Sequence, residues 1–217
     1  MIKLHREGRP VIWITILFLV GIGILAAVYL PSWANMIVVP AALLVLVLVL
    51  RFFRKPVRIP FFDEKTITAP ADGTVVAIEK VHQEEYLDAP AIQVSIFMSF
   101  HDVHVNYFPV SGKVEYIRHH PGRYLIARHP KSSSLNERTS IGINHSSGPL
   151  LVRQIAGTVA RRIRCYASEG QQAGQGSEMG FIRFGSRVDL FIPVDAAIKV
   201  SMHQRVVGSV TPVARFA

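Results

Sequence analysis

No charged residue occurs between Val11 and Leu50, a stretch reading VIWITILFLVGIGILAAVYLPSWANMIVVPAALLVLVLVL. A helix that crosses a bilayer needs about 20 predominantly apolar residues, and residues 11–30 supply them. Residues 31–35 (PSWAN) read as a turn, with Trp33 suited to a membrane interface. Residues 36–50 form a shorter apolar run with Pro40 near its start. The pattern predicts a hairpin of two helices; the alternative is one span followed by a shallow or re-entrant helix. Lys3, His5, Arg6 and Arg9 precede the first run, Arg51, Arg54, Lys55 and Arg58 follow the second, and the turn has no basic residue. The positive-inside rule then places both ends of the hairpin in the cytoplasm. A cleaved signal peptide fits poorly, because the apolar run is too long and more apolar sequence follows it.

The hairpin accounts for the high mean hydropathy of +0.31. The remainder of the 217 residues reads as an ordinary domain large enough to bury a core. We therefore divide the chain into a membrane-anchoring hairpin, 1–55, and a β-rich domain, 56–217. A single cysteine, Cys165, rules out an internal disulfide. The net charge of +9 suits nucleic acid or an anionic membrane surface; beside a membrane segment the surface is the better match, and nucleic acid is not expected.

Beyond residue 58 the sequence is a succession of short runs rich in β-branched residues, separated by Gly, Pro, Asn and Asp. Residues 73–81, 91–99, 104–110, 112–119 and 140–145 are strand-like, 148–167 hold two more strands, and 196–202 and 205–216 close the chain. Residues 159–165 also fit a helix on charge spacing. The polar runs 129–140 and 171–180 read as long loops, the second of them mobile. The expected fold is mainly β, a barrel-sandwich-like domain.

Four features could carry chemistry. Asp72, in APADGTV (69–75), lies in a turn signal and could orient a histidine. FHDVHVNYFP (100–109) holds His101 and His104, whose odd spacing sends them to opposite faces of a regular strand. Asp102 is a poor third ligand beside them, so a metal is not expected, and one histidine acting as acid or base is the better reading. Glu137 and Arg138, in LNERTS, are either solvated or able to bind a lipid head group. Gly185 and Ser186 interrupt the strand-like run IRFGSRVDLFIP (182–193), where Val188, Leu190 and Ile192 alternate with Asp189 and Phe191. Glycine inside such a run marks a bulge or a close backbone approach. The G-x-S-x-G elbow of common serine hydrolases is absent.

Together, APADGTV, MSFHDVHVNYFPVSGKV, NERTSIGI, VRQIAGTVARRIRCY and MGFIRFGSRVDLFIP, in that order, resemble the phosphatidylserine decarboxylase family in its short bacterial and archaeal form. The N-terminal hairpin matches that form too. The resemblance implies a proenzyme. The Ser186 hydroxyl would attack the Gly185 carbonyl, and β-elimination would leave a β chain, 1–185, and an α chain, 186–217, headed by a pyruvoyl group derived from Ser186. This covalent cofactor would take the lipid's serine amine as a Schiff base and release CO2, giving phosphatidylethanolamine. His104 is the expected proton donor, Asp72 a further catalytic residue, and Glu137 and Arg138 the substrate-binding pair. The expected partners are phosphatidylserine in an anionic membrane and the two chains cut from one precursor; a homo-oligomer is compatible with the sequence.

The long members of the family carry a second histidine three residues after the His104 position, paired with the aspartate matching Asp72. Here Tyr107 stands there. An Asp72–histidine–Ser186 triad is therefore not carried over whole, and the base that activates Ser186 is left open among His104, His101 and another group. Two rival readings are a membrane-tethered lipoyl- or permease-like sandwich that binds without cutting itself, and a homologue that no longer processes. The first should show a Met-Lys-Met-like hairpin tip, which the sequence lacks.

Overall fold

The computed structural model describes residues 2–125, 132–158, 162–183 and 185–217. The chain forms two compact units that divide between Val57 and Arg58. The first contains β1 (Ile2–Leu4), α1 (Arg9–Tyr29), α2 (Asn35–Phe52) and β2 (Arg54–Pro56). Pro10 sits in the first turn of α1, where its missing N–H costs nothing. The strands pair antiparallel, Lys3 opposite Lys55, and so tie the open ends of the hairpin. At 1.5 Å per residue, α1 is about 31 Å long and α2 about 27 Å, near the thickness of a bilayer's hydrocarbon core. Both helices are long and apolar enough to cross a membrane. Trp13, Leu17, Phe18, Val28, Met36 and Ile37 point outward, as side chains facing lipid would.

The second unit is almost entirely β: β3 (Thr66–Thr68), β4 (Gly73–Gln83), β5 (Ala89–Met98), β6 (Val105–Tyr107), β7 (Gly112–His120), β8 (Arg138–His145), β9 (Gly148–Ile155), β10 (Ile163–Cys165), β11 (Gln172–Ala173), β12 (Glu178–Ile182), β13 (Ser186–Pro193), β14 (Ala197–Ile198), β15 (Arg205–Val206) and β16 (Pro212–Arg215), with one helical turn, α3 (Ser132–Leu135). Eight strands form one sheet in the order β11-β7-β8-β9-β13-β5-β4-β15. Two three-stranded sheets, β10-β12-β6 and β14-β16-β3, complete the domain. The core lies between them. Val94, Ile96, Ile141, Val152, Val188 and Leu190 of the large sheet meet Met179, Ile182, Ile67 and Val213 of the small ones.

The sandwich follows the expectation, with local differences. The expected strand at 104–110 shrinks to Val105–Tyr107. The polar run 171–180 is not one loop: it supplies β11 and the first residues of β12. Its glutamines mislead because Gln175 is buried and its amide donates to the carbonyls of Thr66 and Pro109 at 2.7 and 3.1 Å. A side-chain amide here does what a backbone ladder does elsewhere. Residues 129–140 include α3 and the start of β8, and their first part lies outside the described residues, as do 159–161 of the helix-or-strand segment, whose end is β10.

A chain beginning at Lys55 should fold, since its β unit has its own core and keeps Arg58. It should lose most of its membrane association in a vesicle-flotation assay, and what remains should fall with added salt, which screens exposed basic charge. Retention on vesicles at high salt would place the anchor outside the hairpin.

Candidate active site

Ser186 and His104 lie on two neighbouring chain corners. At the first, β12 belongs to a small sheet and β13 to the large one, so the chain must turn between Ile182 and Ser186. Gly185 makes that turn with φ +62°, a left-handed conformation that costs an L side chain roughly 1–2 kcal/mol. Space is not what selects glycine: the nearest atom to a β-carbon built there is Phe100 Cε2, 4.0 Å away. Gly185→Ala should therefore give a folded chain whose self-cleavage is slowed, read as a time course on a denaturing gel. Wild-type kinetics in that variant would show that the left-handed turn has no part in the reaction.

The second corner runs antiparallel to the first. β5 pairs with β13 in the large sheet, Met98 opposite Ser186, and β6 pairs with β12 in the small one, Val105 opposite Phe181. The connection from Met98 to Val105 thus lies along the connection from Ile182 to Ser186. It carries His104, whose carbonyl accepts the Ile182 N–H at 3.3 Å. Both Ser186 and His104 are fully buried. Ser186 Oγ donates to Met98 Sδ at 3.3 Å, and Asn106 Nδ2 approaches the same sulfur at 3.6 Å. A thioether is a weak acceptor, so the serine hydroxyl is only lightly held.

His104 Nδ1 lies 2.9 Å from the Asp102 carbonyl. A carbonyl only accepts, so Nδ1 carries a proton, and in the neutral form of the ring the lone pair is on Nε2. Asp102 fixes this arrangement. Its Oδ2 takes the Ser99 N–H at 2.8 Å and the Ser99 hydroxyl at 2.7 Å, closing the corner into a turn, and its Oδ1 pairs with Arg205 at 2.6 Å. In the sequence Asp102 drew notice only as a poor metal ligand. The Ser-x-x-Asp spacing, in which the acidic side chain reaches back to the N–H three residues earlier, is that of a capping box, which is the signal that could have found it. His101, on the same turn, is exposed.

Asp72 stands at another point. Arg58 forks onto both its carboxylate oxygens at 2.6 Å, and the Gly208 N–H donates to Oδ1 at 2.8 Å. Burial works against the Arg58 charge, but the hydrogen bonds and charge of Asp72 outweigh it and hold the guanidinium above its ordinary pKa. Tyr107 lies beside the pair, with Arg58 Cζ 5.8 Å from its ring centre. Burial, with Asp72 and Glu178 adding to it against Arg58, pushes the Tyr107 hydroxyl up to about 12. It stays protonated at neutral pH and is a poor base. The position where long relatives have a histidine thus holds a neutral phenol, and the aspartate has an arginine partner that sequence reading did not connect to it.

Glu137 and Arg138 turn to opposite faces of the large sheet: Glu137 lies 3.9 Å from His119, beside Thr139 on the core face, and Arg138 faces away from the core. Glu137 accepts from the Tyr124 hydroxyl at 2.5 Å, and Arg138 donates to the Ser134 carbonyl at 2.7 Å. Arg138 lines a cavity with Glu85, Arg153 and Phe191, and Phe191 lies on the opposite face of β13 from the core residues Val188 and Leu190.

Comparison with known proteins shows the family. The phosphatidylserine decarboxylase family profile matches residues 45–214. The chain is 42% identical over 220 residues to a phosphatidylserine decarboxylase proenzyme of Amoebophilus asiaticus, covering 100% of this chain and 98% of the relative. It is 45% identical over 216 residues to the proenzyme of Cytophaga hutchinsonii, covering 98% of each, and 44% identical over 219 residues to that of Parabacteroides distasonis, covering 99% of each. A match of this length and identity leaves no room for a carrier sandwich, and the chain belongs to the phosphatidylserine decarboxylase family of enzymes, made as proenzymes.

Proposed function

We propose that this chain cuts itself between Gly185 and Ser186 and then decarboxylates phosphatidylserine to phosphatidylethanolamine at a membrane surface, with the domain on the cytoplasmic face. The observation that carries the reading is the paired corner: a buried serine follows a left-handed glycine, and a buried histidine is held against the same turn.

In maturation, His104 Nε2 takes the hydroxyl proton as Ser186 Oγ bonds to the Gly185 carbonyl carbon. The Gly185–Ser186 C–N bond breaks, giving an ester and a free amine. Loss of the Ser186 α-proton then expels the Gly185 carboxylate, and water converts the remaining dehydroalanine to a pyruvoyl end with release of ammonia. The residues fit this group: β13 is central in the large sheet, hydrogen-bonded on both sides to β5 and β9, so the new chain end stays in place after the cut. The pyruvoyl carbonyl would supply an electrophile for the lipid amine and a sink for the electrons that CO2 leaves behind.

During turnover His104 delivers the proton that replaces CO2 on the product carbon, and Asp102 keeps its ring oriented. Met98 and Phe181, both buried, keep water from the corner. In the buried Arg187–Asp189 pair, Arg187 Nη2 also donates to the Ser95 hydroxyl at 2.7 Å, which anchors the residue after Ser186 to β5.

The direct test supplies carboxyl-labelled phosphatidylserine in detergent micelles to the purified protein. Labelled CO2 and phosphatidylethanolamine should appear together, and borohydride with substrate should stop turnover and leave the lipid on the small chain. A cleaved protein that releases CO2 only from a different head group would overturn the substrate assignment.

A further inference from the structure

The sheet face opposite Ser186 carries a second polar centre. Side chains alternate along a strand, so Val188, Leu190 and Ile192 turn to the core while Arg187, Asp189 and Phe191 turn to the other side. Over that side opens a cavity of about 590 Å³, with Glu85, His120, Arg138, Arg153 and Phe191 in its wall. Its volume is in the range of small-ligand sites.

The wall holds two carboxylates, Glu84 and Glu85, and two arginines, Arg138 and Arg153, but the arginines are unevenly paired. Arg153 donates to Glu85 at 2.7 Å and lies 4.9 Å from the Phe191 ring centre. Glu85 also takes His120 at 2.5 Å, the Ser140 hydroxyl at 2.9 Å and the Tyr116 hydroxyl at 3.2 Å. A carboxylate offers about four acceptor sites, so Glu85 has nothing left for a second arginine. Arg138 has no carboxylate partner among the described residues, and its buried Nε–H has no acceptor there. A buried donor without an acceptor is destabilising. Burial and then the nearby Arg153 charge also hold the Arg138 guanidinium below its ordinary pKa. An anion in the cavity would ease the second effect by offsetting the two arginine charges, and arginine's planar fork is suited to phosphate oxygens.

We infer that this cavity binds a phosphate-bearing anion, a lipid phosphodiester head group or free phosphate, through Arg138, at a site separate from the Ser186 corner. The test uses the full-length Ser186→Ala chain in detergent micelles, so that no ketone can hold an amine. Isothermal titration with inorganic phosphate and with glycerophosphoserine should show saturable binding of at least one. The affinity should fall at least tenfold in Arg138→Gln on the same background. Phosphate should also raise the unfolding temperature of the parent, as a ligand of the folded state must, and not that of Arg138→Gln. Tighter binding of glycerophosphoserine would identify a head group, and equal binding would identify free phosphate. If Arg138→Gln does not fold, Arg138→Lys decides, because it keeps the charge and loses the fork; a several-fold loss of affinity is expected. No saturable binding of either probe, or affinity unchanged by substitution of Arg138, would overturn the site.

Discussion

Replacing Ser186 with Ala should leave the chain whole at 24.1 kDa and abolish decarboxylation. The hydroxyl is the only group removed. Ser186 is buried, and the one described hydrogen bond of its side chain runs to a thioether, so the fold should survive the change and circular dichroism should match wild type. Without the hydroxyl no ester forms, the Gly185 carbonyl is not attacked, and no ketone arises to capture an amine. Ser186→Cys keeps a nucleophile and should cleave slowly through the equivalent thioester. Hydroxylamine should hasten scission in any variant arrested at the ester. An uncleaved, fully active Ser186→Ala protein would reduce Gly185-Ser186 to a corner between two sheets.

His104→Ala should lower turnover per cleaved chain by roughly 10²–10⁴-fold, the usual contribution of a positioned acid or base. The same substitution should slow self-cleavage if Nε2 takes the Ser186 proton, so the two rates must be measured apart: cleaved fraction by gel, then CO2 release per cleaved chain. Near-normal turnover per cleaved chain would remove His104 from the chemistry. Tyr107 could not readily replace it, because its hydroxyl is held protonated with a pKa of about 12; the exposed His101 would be the next residue to vary.

Much of this site could be read from short-range patterns. Alternation in 186–193 gave β13 its two faces, and the Gly185-Ser186 interruption marked the corner. The odd spacing of His101 and His104 suggests opposite faces of a strand, but the structure puts His101, exposed, in a turn and His104, buried, just before β6. What stayed hidden depends on partners distant in sequence. Asp72 suggested a histidine partner, but Arg58, 14 residues earlier, makes the fork. Asp102 needs Arg205, which a linear reading does not place beside it. Arg138 reads in the sequence as solvated or as a head-group ligand, and only the sheet order shows that it lines a cavity over the face opposite Ser186. Gln175 was read as loop because polarity alone does not distinguish a solvated amide from one spent on two buried carbonyls.

The central claim is that the peptide bond between Gly185 and Ser186 reacts. Intact-mass spectrometry of the purified wild-type protein under denaturing conditions tests it most directly. Two species are predicted, one of residues 1–185 ending in a free carboxylate, the other of residues 186–217 beginning with a pyruvoyl group that gives no signal in N-terminal sequencing. A single species of 24.1 kDa, or a small chain that begins with an intact serine, would contradict the account.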